Sequence, residues 1–237
     1  MAVVTIQGQI GSGGQEVGLR VANLLNYDYV DRLIFAEAAK LLGATVQAVA
    51  TKEHEVRTTK NRIANFVHNL LERSAMAGAG SEPYFGPGIE VLLSKDYYSQ
   101  DEQDPITTSS DLDIKHFLDA MTTVIKELAE KGDVVLLGRG ANRILGDHVG
   151  ALHVDIIAPF ERRVQTIMTR EHLDDNAARK FVDNHETARL NFFRKAFDVD
   201  ALDSNLYHMI INMEHLKTET AAEIIAHATQ DIAYQIN

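Results

Sequence analysis

A short apolar run, a cluster of glycines and an amphipathic segment follow one another at the start of the chain, and their order strongly constrains the fold. Residues 2–7 (Ala-Val-Val-Thr-Ile-Gln) are rich in the β-branched side chains that favour strands. Four glycines follow within residues 8–14, and apolar side chains then recur at helical spacing from Val17 to Leu25. Strand, glycine-rich loop and helix in this order predict the first unit of an α/β protein.

The glycine loop also suggests a ligand. The spacing Gly8-x-x-x-x-Gly13 matches the first part of the phosphate-binding motif G-x-x-x-x-G-K-[ST]. Glycines let backbone N–H groups turn toward phosphate oxygens, and the following helix presents its positive end. A tight strand-to-helix turn without a ligand is the alternative. We favour the anion-binding interpretation, in which the candidate cofactor-binding residues are Gly8, Gly11, Ser12, Gly13, Gly14, Gln15 and Glu16.

The loop lacks the two side chains that complete the motif. Gly14 occupies the position of the lysine, and Gln15 that of the serine or threonine. The lysine normally reaches the β- and γ-phosphates as a point charge, and the hydroxyl binds Mg²⁺. Ser12 offers a hydroxyl, and Glu16 a carboxylate that can hold Mg²⁺ through a water. Either another cation replaces the lysine, or phosphoryl transfer is weak or absent.

Apolar runs and helical spacings alternate along the rest of the chain. Four further strands are predicted at residues 27–30, 133–137, 151–157 and 207–212. Helices are predicted at about residues 32–42, 111–130, from Phe160, from a cap at Asp174 to Arg194, and at 218–236. The alternation predicts a parallel sheet of five strands flanked by helices. Ligands bind at the carboxyl ends of such strands, where the glycine loop and residues 138–140 (Gly-Arg-Gly) fall.

The chain is long enough for one domain with an insertion. Residues 76–88 hold two of the four prolines and four glycines, which predicts that residues 76–110 form an irregular insertion, either a hairpin or a mobile lid. A plain surface loop is an equal alternative. The aromatic residues of the insertion can serve a homodimer contact as well as a substrate contact; they are Tyr84, Phe85, Tyr97 and Tyr98.

The composition argues against several classes of protein. No cysteine is present, which excludes disulfides and thiolate metal sites and is typical of a cytoplasmic protein. The ten histidines show no recurring ligand spacing, so no metal site of the protein's own is expected. The net charge of −11 argues against a face for duplex nucleic acid, and the lack of a long apolar run against a membrane span.

Four segments resemble the cytidylate kinase-like family, which comprises P-loop proteins related to bacterial CMP kinases. They are residues 11–18 (GSGGQEVG), 27–34 (YDYVDRLI), 128–141 (LAEKGDVVLLGRGA) and 158–164 (APFERRV). The resemblance implies a P-loop NTPase-type fold with a helical lid and an inserted segment. It also implies ATP and Mg²⁺ as cofactors and a nucleoside monophosphate as acceptor, CMP or dCMP.

The resemblance assigns roles to four arginines. It implies that Arg139 binds the acceptor nucleotide, that Arg163 and Arg170 lie near the donor nucleotide, and that Arg189 belongs to the lid. We take Arg139, Arg170 and Arg189 as candidate catalytic residues and Arg163 as a cofactor-binding residue. Salt bridges with Glu161, Glu171 or Glu186 are the competing interpretation for the lid arginines. Within the single domain, 1–237, the resemblance places an acceptor-side helical region and the insertion at 43–110, and the lid at 159–197.

Three functions are consistent with these observations. The first is an ATP-dependent kinase for a nucleoside monophosphate. The second is a nucleotide-binding regulatory protein without turnover, which the uncharged loop favours. The third is a kinase for another small acceptor that the insertion selects. The first and third predict ATP consumption that depends on an acceptor, whereas the second predicts binding alone.

Overall fold

The computed structural model describes residues 2–31 and 108–234 of the chain, and the fold is given for these residues. The sheet consists of β1 (Val3–Gly8), β2 (Asp28–Val30), β3 (Val134–Leu137), β4 (Ala151–Ile157) and β5 (Met209–Asn212). The helices are α1 (Gly14–Leu25), α2 (Thr108–Lys131), α3 (Ala141–Ile144), α4 (Phe160–Glu171), α5 (Asp175–Phe197) and α6 (Thr218–Tyr234). The helix predicted at 32–42, and the region 43–110 apart from the start of α2, lie outside the described residues.

The five strands form one parallel sheet in the order β2-β3-β1-β4-β5. The central strand β1 is hydrogen-bonded to β3 on one side and to β4 on the other, with Ile6 opposite both Leu137 and Val154. The glycine loop therefore leaves the carboxyl end of the sheet at its centre. This arrangement confirms the predicted five-stranded parallel sheet flanked by helices.

Helices cover both faces of the sheet, so alternate strand residues enter two separate cores. On one face, side chains such as Val3 and Leu136 pack against Met121 and Ile125 of α2. On the other, Val4 and Ile6 belong to a cluster with α1 and α6. Because both faces of the sheet are buried, the strand sequences are nearly continuous apolar runs. Each fully buried aliphatic side chain stabilises the fold by ~1.5–3 kcal/mol relative to exposure.

Polar side chains interrupt the first of these cores. Thr5 and Gln7 of β1, and His153 and Asp155 of β4, are all buried and point toward the same side of the sheet as Val3. Thr5 Oγ1 lies 2.8 Å from His153 Nδ1. We call these four residues the polar column. It runs along the two central strands toward the glycine loop, so it connects the sheet interior with the region where a ligand is expected.

The helices α4 and α5 form a hairpin beside the glycine loop. The Asp174 carboxylate accepts a hydrogen bond of 2.8 Å from Ala177 N, which confirms the predicted cap of α5. The two helices share a small core that includes Val164, Ile167 and Val182, and Ile10 of the glycine loop packs against it. The loop and the hairpin are therefore joined through apolar contact.

Two features differ from the sequence-based expectation. The strand predicted at 207–212 begins at Met209, because Tyr207 still belongs to a tight turn, in which its N–H donates to Ser204 O at 3.2 Å. The sequence does not predict the helix α3, because four residues are too few for a periodic pattern. Across the described ranges, no helix combines the length and the apolar character needed to cross a membrane.

Candidate active site

A cleft lies at the carboxyl ends of β1 and β3, between the glycine loop and α5. The loop contributes Gly8, Gln9, Ile10, Gly11, Gly13, Gly14, Gln15 and Glu16 to its lining. The opposite wall contributes Arg139, Arg170, His185, Arg189, Phe192 and Phe193. Of the seven loop residues predicted to bind a cofactor, six line this cleft. All three arginines predicted to be catalytic line it as well.

The loop conformation depends on two glycines. Gly11 and Gly13 have φ angles of 82° and 91°, which side chains rarely tolerate. A Cβ atom at Gly11 would also lie 2.6 Å from the carbonyl oxygen of Arg163, so the loop approaches the start of α4 too closely for any side chain. Gly13 precedes α1 without a side-chain cap. The N-terminus of α1 is consequently open to an anion at the cleft.

Ser12 is the loop residue that does not line the cleft. Its side chain is buried, and its hydroxyl has no hydrogen-bond partner among the described residues. The hydroxyl points toward Gly8, where a Cβ atom would lie 3.1 Å from Ser12 Oγ. The predicted contact of Ser12 with a cofactor thus requires the loop to rearrange.

Arg139 lies in an unusual stretch of backbone. Gly138, Arg139 and Gly140 have φ angles of 80°, 58° and 67°, so three successive residues are left-handed. For an arginine this conformation is unfavourable and is found mainly where the surroundings impose it. A Cβ atom at Gly140 would lie 2.2 Å from a ring carbon of Phe197 on α5. This packing keeps position 140 without a side chain, and the neighbouring Arg139 is buried and lines the cleft.

Arg170 and Arg189 reach the cleft from α4 and α5. Arg170 Nε donates to Glu171 Oε1 at 3.0 Å. Arg189 donates through both Nε and Nη2 to Glu186 Oε1, at 3.1 and 2.7 Å. Salt bridges and a position on the cleft therefore coexist for both arginines, and the two interpretations of the sequence do not exclude each other.

Arg163 lies in a different environment. Its Nε donates to Ala158 O at 3.1 Å, and its guanidinium lies 5.5 Å from the centre of the Phe160 ring. Burial lowers the pKa of this guanidinium, and the negative charge of Glu186 offsets part of that decrease. Arg163 is not part of the cleft lining, so a contact with the donor nucleotide would require this packing to open.

Glu186 is a functional candidate that the sequence suggested only as a salt-bridge partner. Its Oε2 accepts a hydrogen bond of 3.1 Å from Ile10 N in the glycine loop and lies 3.9 Å from Arg163 Nη1. Its other oxygen accepts from Arg189. One carboxylate thus links the glycine loop to the arginine of the opposite wall. The spacing of Glu186 and Arg189 on a helix predicts their pairing, but no local pattern predicts the contact with the loop.

The cleft offers groups suited to the cofactors that the resemblance implies. For a nucleotide, the open N-terminus of α1 and the arginine wall provide backbone donors and positive charge for phosphates. Mg²⁺ is commonly held by one or two carboxylates together with substrate phosphates and waters. Glu16 is the loop carboxylate that lines the cleft. No group of three metal-ligating side chains occurs within residues 2–31 and 108–234, so Mg²⁺ would depend on the phosphates.

The sheet order and the loop at its centre define the class of protein. A parallel five-stranded sheet with a glycine-rich loop between the central strand and the next helix is a P-loop NTPase-type α/β fold. Residues 3–215 match the cytidylate kinase-like family, and the chain belongs to this family. Family membership and fold together support a nucleotide kinase.

Curated relatives share low sequence identity with the chain. A cytidylate kinase from Thermoplasma acidophilum is 20% identical over 231 residues, which are 97% of this chain and 93% of that protein. A cytidylate kinase from Methanopyrus kandleri is 27% identical over 108 residues, which are 42% of this chain; the chain spans 56% of the length of that relative.

A solved structure has a similar fold. The crystal structure of an uncharacterised protein from Eubacterium ventriosum superimposes with a TM-score of 0.62 at 16% identity. The match covers 97% of this chain and 99% of that protein. At this identity the similarity shows the fold alone.

Proposed function

We propose that the protein transfers the γ-phosphoryl group of ATP to a nucleoside monophosphate, with CMP or dCMP as the acceptor. The observation that carries the proposal is the arrangement of Arg139, Arg170 and Arg189, which come from three different parts of the fold and line one cleft opposite the glycine loop. Phosphoryl transfer requires positive charge around the transferring group, and this wall can supply it where the loop has no lysine. The choice of acceptor rests on the family and on the names of its relatives.

The glycine loop and the arginines have separate tasks in this reaction. Backbone N–H groups of the loop and the N-terminus of α1 hold the donor phosphates, and Arg170 and Arg189 neutralise the γ-phosphoryl group. Arg139 binds the acceptor. An acceptor phosphate oxygen forms a bond to the γ-phosphorus while the bond to the β,γ-bridging oxygen breaks, and ADP leaves with that electron pair. Glu16 would hold Mg²⁺ through water, and the ion would supply charge neutralisation for the donor phosphates.

A regulatory protein that binds nucleotide without turnover is the second candidate. The absence of any cation from the loop, with Gly14 in the lysine position, favours it. Loss of one preorganised donor to the transition state typically lowers the rate on the order of a hundred- to a thousandfold. In this case the arginine wall would bind phosphates and nothing more.

An assay of ADP release distinguishes the kinase from the regulatory protein. ATP and Mg²⁺ are supplied with each of a panel of nucleoside monophosphates. We expect turnover with a cytidine nucleotide and its loss in Arg139→Ala. Arg20→Ala, on the exposed side of α1, is the matched control and should retain turnover. Tight ATP binding with no turnover on any acceptor would instead leave the regulatory function, and equal activity of the two variants would contradict the role of Arg139.

A further inference from the structure

Asp155 is a buried carboxylate that the proposed reaction does not use. It belongs to the polar column, and in the sheet it lies directly opposite Gln7, which lines the cleft. Its side chain is only 3% exposed, and its Oδ1 has no hydrogen-bond partner in the described part of the chain. A buried carboxylate oxygen without a partner is costly, so its presence in the sheet interior calls for an explanation.

Arg189 of α5 is the positive charge that interacts with this carboxylate. Two of its nitrogens are bound to Glu186, but Nη1 is buried and has no hydrogen-bond partner among residues 2–31 and 108–234. Asp155 and Arg189 are electrostatically coupled, since Arg189 lowers the pKa of Asp155 and Asp155 raises that of Arg189. The guanidinium of Arg189 is thus hydrogen-bonded to one carboxylate, that of Glu186, and attracted by a second, that of Asp155, without a hydrogen bond.

The other groups around Asp155 determine its charge. Glu186 on α5 adds a second negative charge, and Tyr207, before β5, has its pKa raised by burial and by Asp155. Burial is the main reason that the pKa of Asp155 rises to about 6. His153, two residues earlier, is stacked on His208, and burial lowers its pKa to about 4, so it is neutral above pH 5. Asp155 therefore changes charge near pH 6.

We propose that Asp155 is a positioning residue of the phosphoryl site: its buried carboxylate draws the guanidinium of Arg189 toward the sheet, and a phosphoryl group in the cleft competes with it for that positive charge. The proposal rests on the function proposed above only in taking a phosphoryl group as the ligand of Arg189. An ionised Asp155 weakens the hold of Arg189 on the ligand, and a neutral Asp155 strengthens it.

The coupling between the two groups is reciprocal. If a neutral Asp155 favours phosphoryl binding, then phosphoryl binding must favour the protonation of Asp155 by the same factor. Binding therefore takes up a proton near pH 6–7, and the affinity rises as the pH falls through the pKa of Asp155. A rise of one unit in the pKa of Asp155 on binding corresponds to about a tenfold gain in affinity.

Inorganic tripolyphosphate is a suitable probe, because it carries the phosphate chain of ATP without the nucleoside. Its dissociation constant is measured by calorimetry at pH 5.0 and 7.5 for the native chain, for Asp155→Asn and for the exposed matched control Asp147→Asn. At pH 7.5 we expect Asp155→Asn to bind about tenfold more tightly than the native chain. At pH 5.0, where the native Asp155 is largely protonated, the two should agree. Protonation of the probe itself cancels in this comparison.

Proton uptake gives an independent measurement. Calorimetry at pH 6.5 in two buffers of different ionisation enthalpy should show more proton uptake for the native chain than for Asp155→Asn. If Asp155→Asn does not fold, the carboxyl carbon resonance of Asp155 in the native chain can be titrated with and without tripolyphosphate, and its pKa should rise on binding. A merely structural role for Asp155 would change stability but not the pH dependence of affinity.

The outcomes separate this inference from the proposed function. An affinity ratio between native chain and Asp155→Asn that is the same at both pH values would overturn the role of Asp155, as would a lack of tripolyphosphate binding, whether or not the protein turns over ATP. A ratio that changes with pH as expected, in a protein that transfers no phosphoryl group to any acceptor, would support the role of Asp155 and contradict the kinase proposal.

Discussion

The two sides of the cleft are built in opposite ways. The glycine loop contributes backbone and no cation, and its conformation depends on left-handed glycines and on close packing against Arg163. The facing wall contributes three arginines, two of which are held by carboxylates three residues away or adjacent in sequence. The loop thus provides geometry, whereas the wall provides charge. In a loop with the motif lysine both would come from the same segment.

A substitution that damages the loop geometry should have the largest effect. We expect Gly11→Ala to weaken ATP binding on the order of a hundredfold or more, the usual scale for loss of preorganised donors. The reason is that a Cβ atom would lie 2.6 Å from backbone of α4 in a residue with φ of 82°. Equilibrium binding of a fluorescent ATP analogue measures the effect. Gly146→Ala, where the nearest atom lies at 3.5 Å, is the control and should bind normally.

A substitution that keeps the charge of the wall but alters its shape tests the other side. Arg189→Lys loses the double contact with Glu186, so we expect kcat/KM for the acceptor panel to fall about ten- to a hundredfold. Arg194→Lys, an exposed position on the same helix, should have little effect. Equal rates for both variants would show that the wall acts only through its net charge.

Restoring the motif lysine would bring charge and geometry together in the loop. A Cβ atom at Gly14 has no neighbour closer than 3.8 Å, so a side chain can start at this position without a clash at Cβ. We expect Gly14→Lys to raise ATP affinity or turnover about tenfold, and Gly14→Gln, of similar length but neutral, to do neither. A loss of activity in both variants would indicate that the arginine wall already occupies the place of the lysine.

The smallest expected effect concerns the support of the wall. Asp174→Ala removes the hydrogen bond to Ala177 N at the start of α5 and should destabilise the fold by ~1 kcal/mol. Thermal unfolding measures this loss. ATP binding at 20 °C should change little, because the folded state still dominates after a loss of stability of this size. A large loss of binding would show that the two sides are less independent than the comparison suggests.

Features set by neighbouring residues could be predicted from the sequence. The strand, glycine loop and α1 follow one another within 25 residues, and the cap at Asp174 is a local signal. The family segments located Arg139 correctly at the carboxyl end of β3. For these features, spacing and residue type are themselves the physical cause of the structure.

Features set by distant contacts could not be predicted in this way. Arg163 and Arg170 are seven residues apart on one helix, yet only Arg170 lines the cleft, because Arg163 packs against Phe160 and Ala158. The bond from Ile10 N to Glu186 joins residues 176 positions apart. Asp155 stands within a mostly apolar run that predicts a strand, and no local pattern indicates that its carboxylate interacts with Arg189.

The link between Ile10 and Glu186 has a mechanical consequence. Ile10 also packs against the shared core of α4 and α5, so the middle of the glycine loop is attached to the helical hairpin by a side chain and by a backbone amide. Because of these two attachments, a displacement of the hairpin would also displace the loop. A ligand that rigidifies the loop would in turn restrict the motion of the hairpin. The exchange rate of the Ile10 amide proton with deuterium therefore reports how often the hydrogen bond between the loop and the hairpin opens.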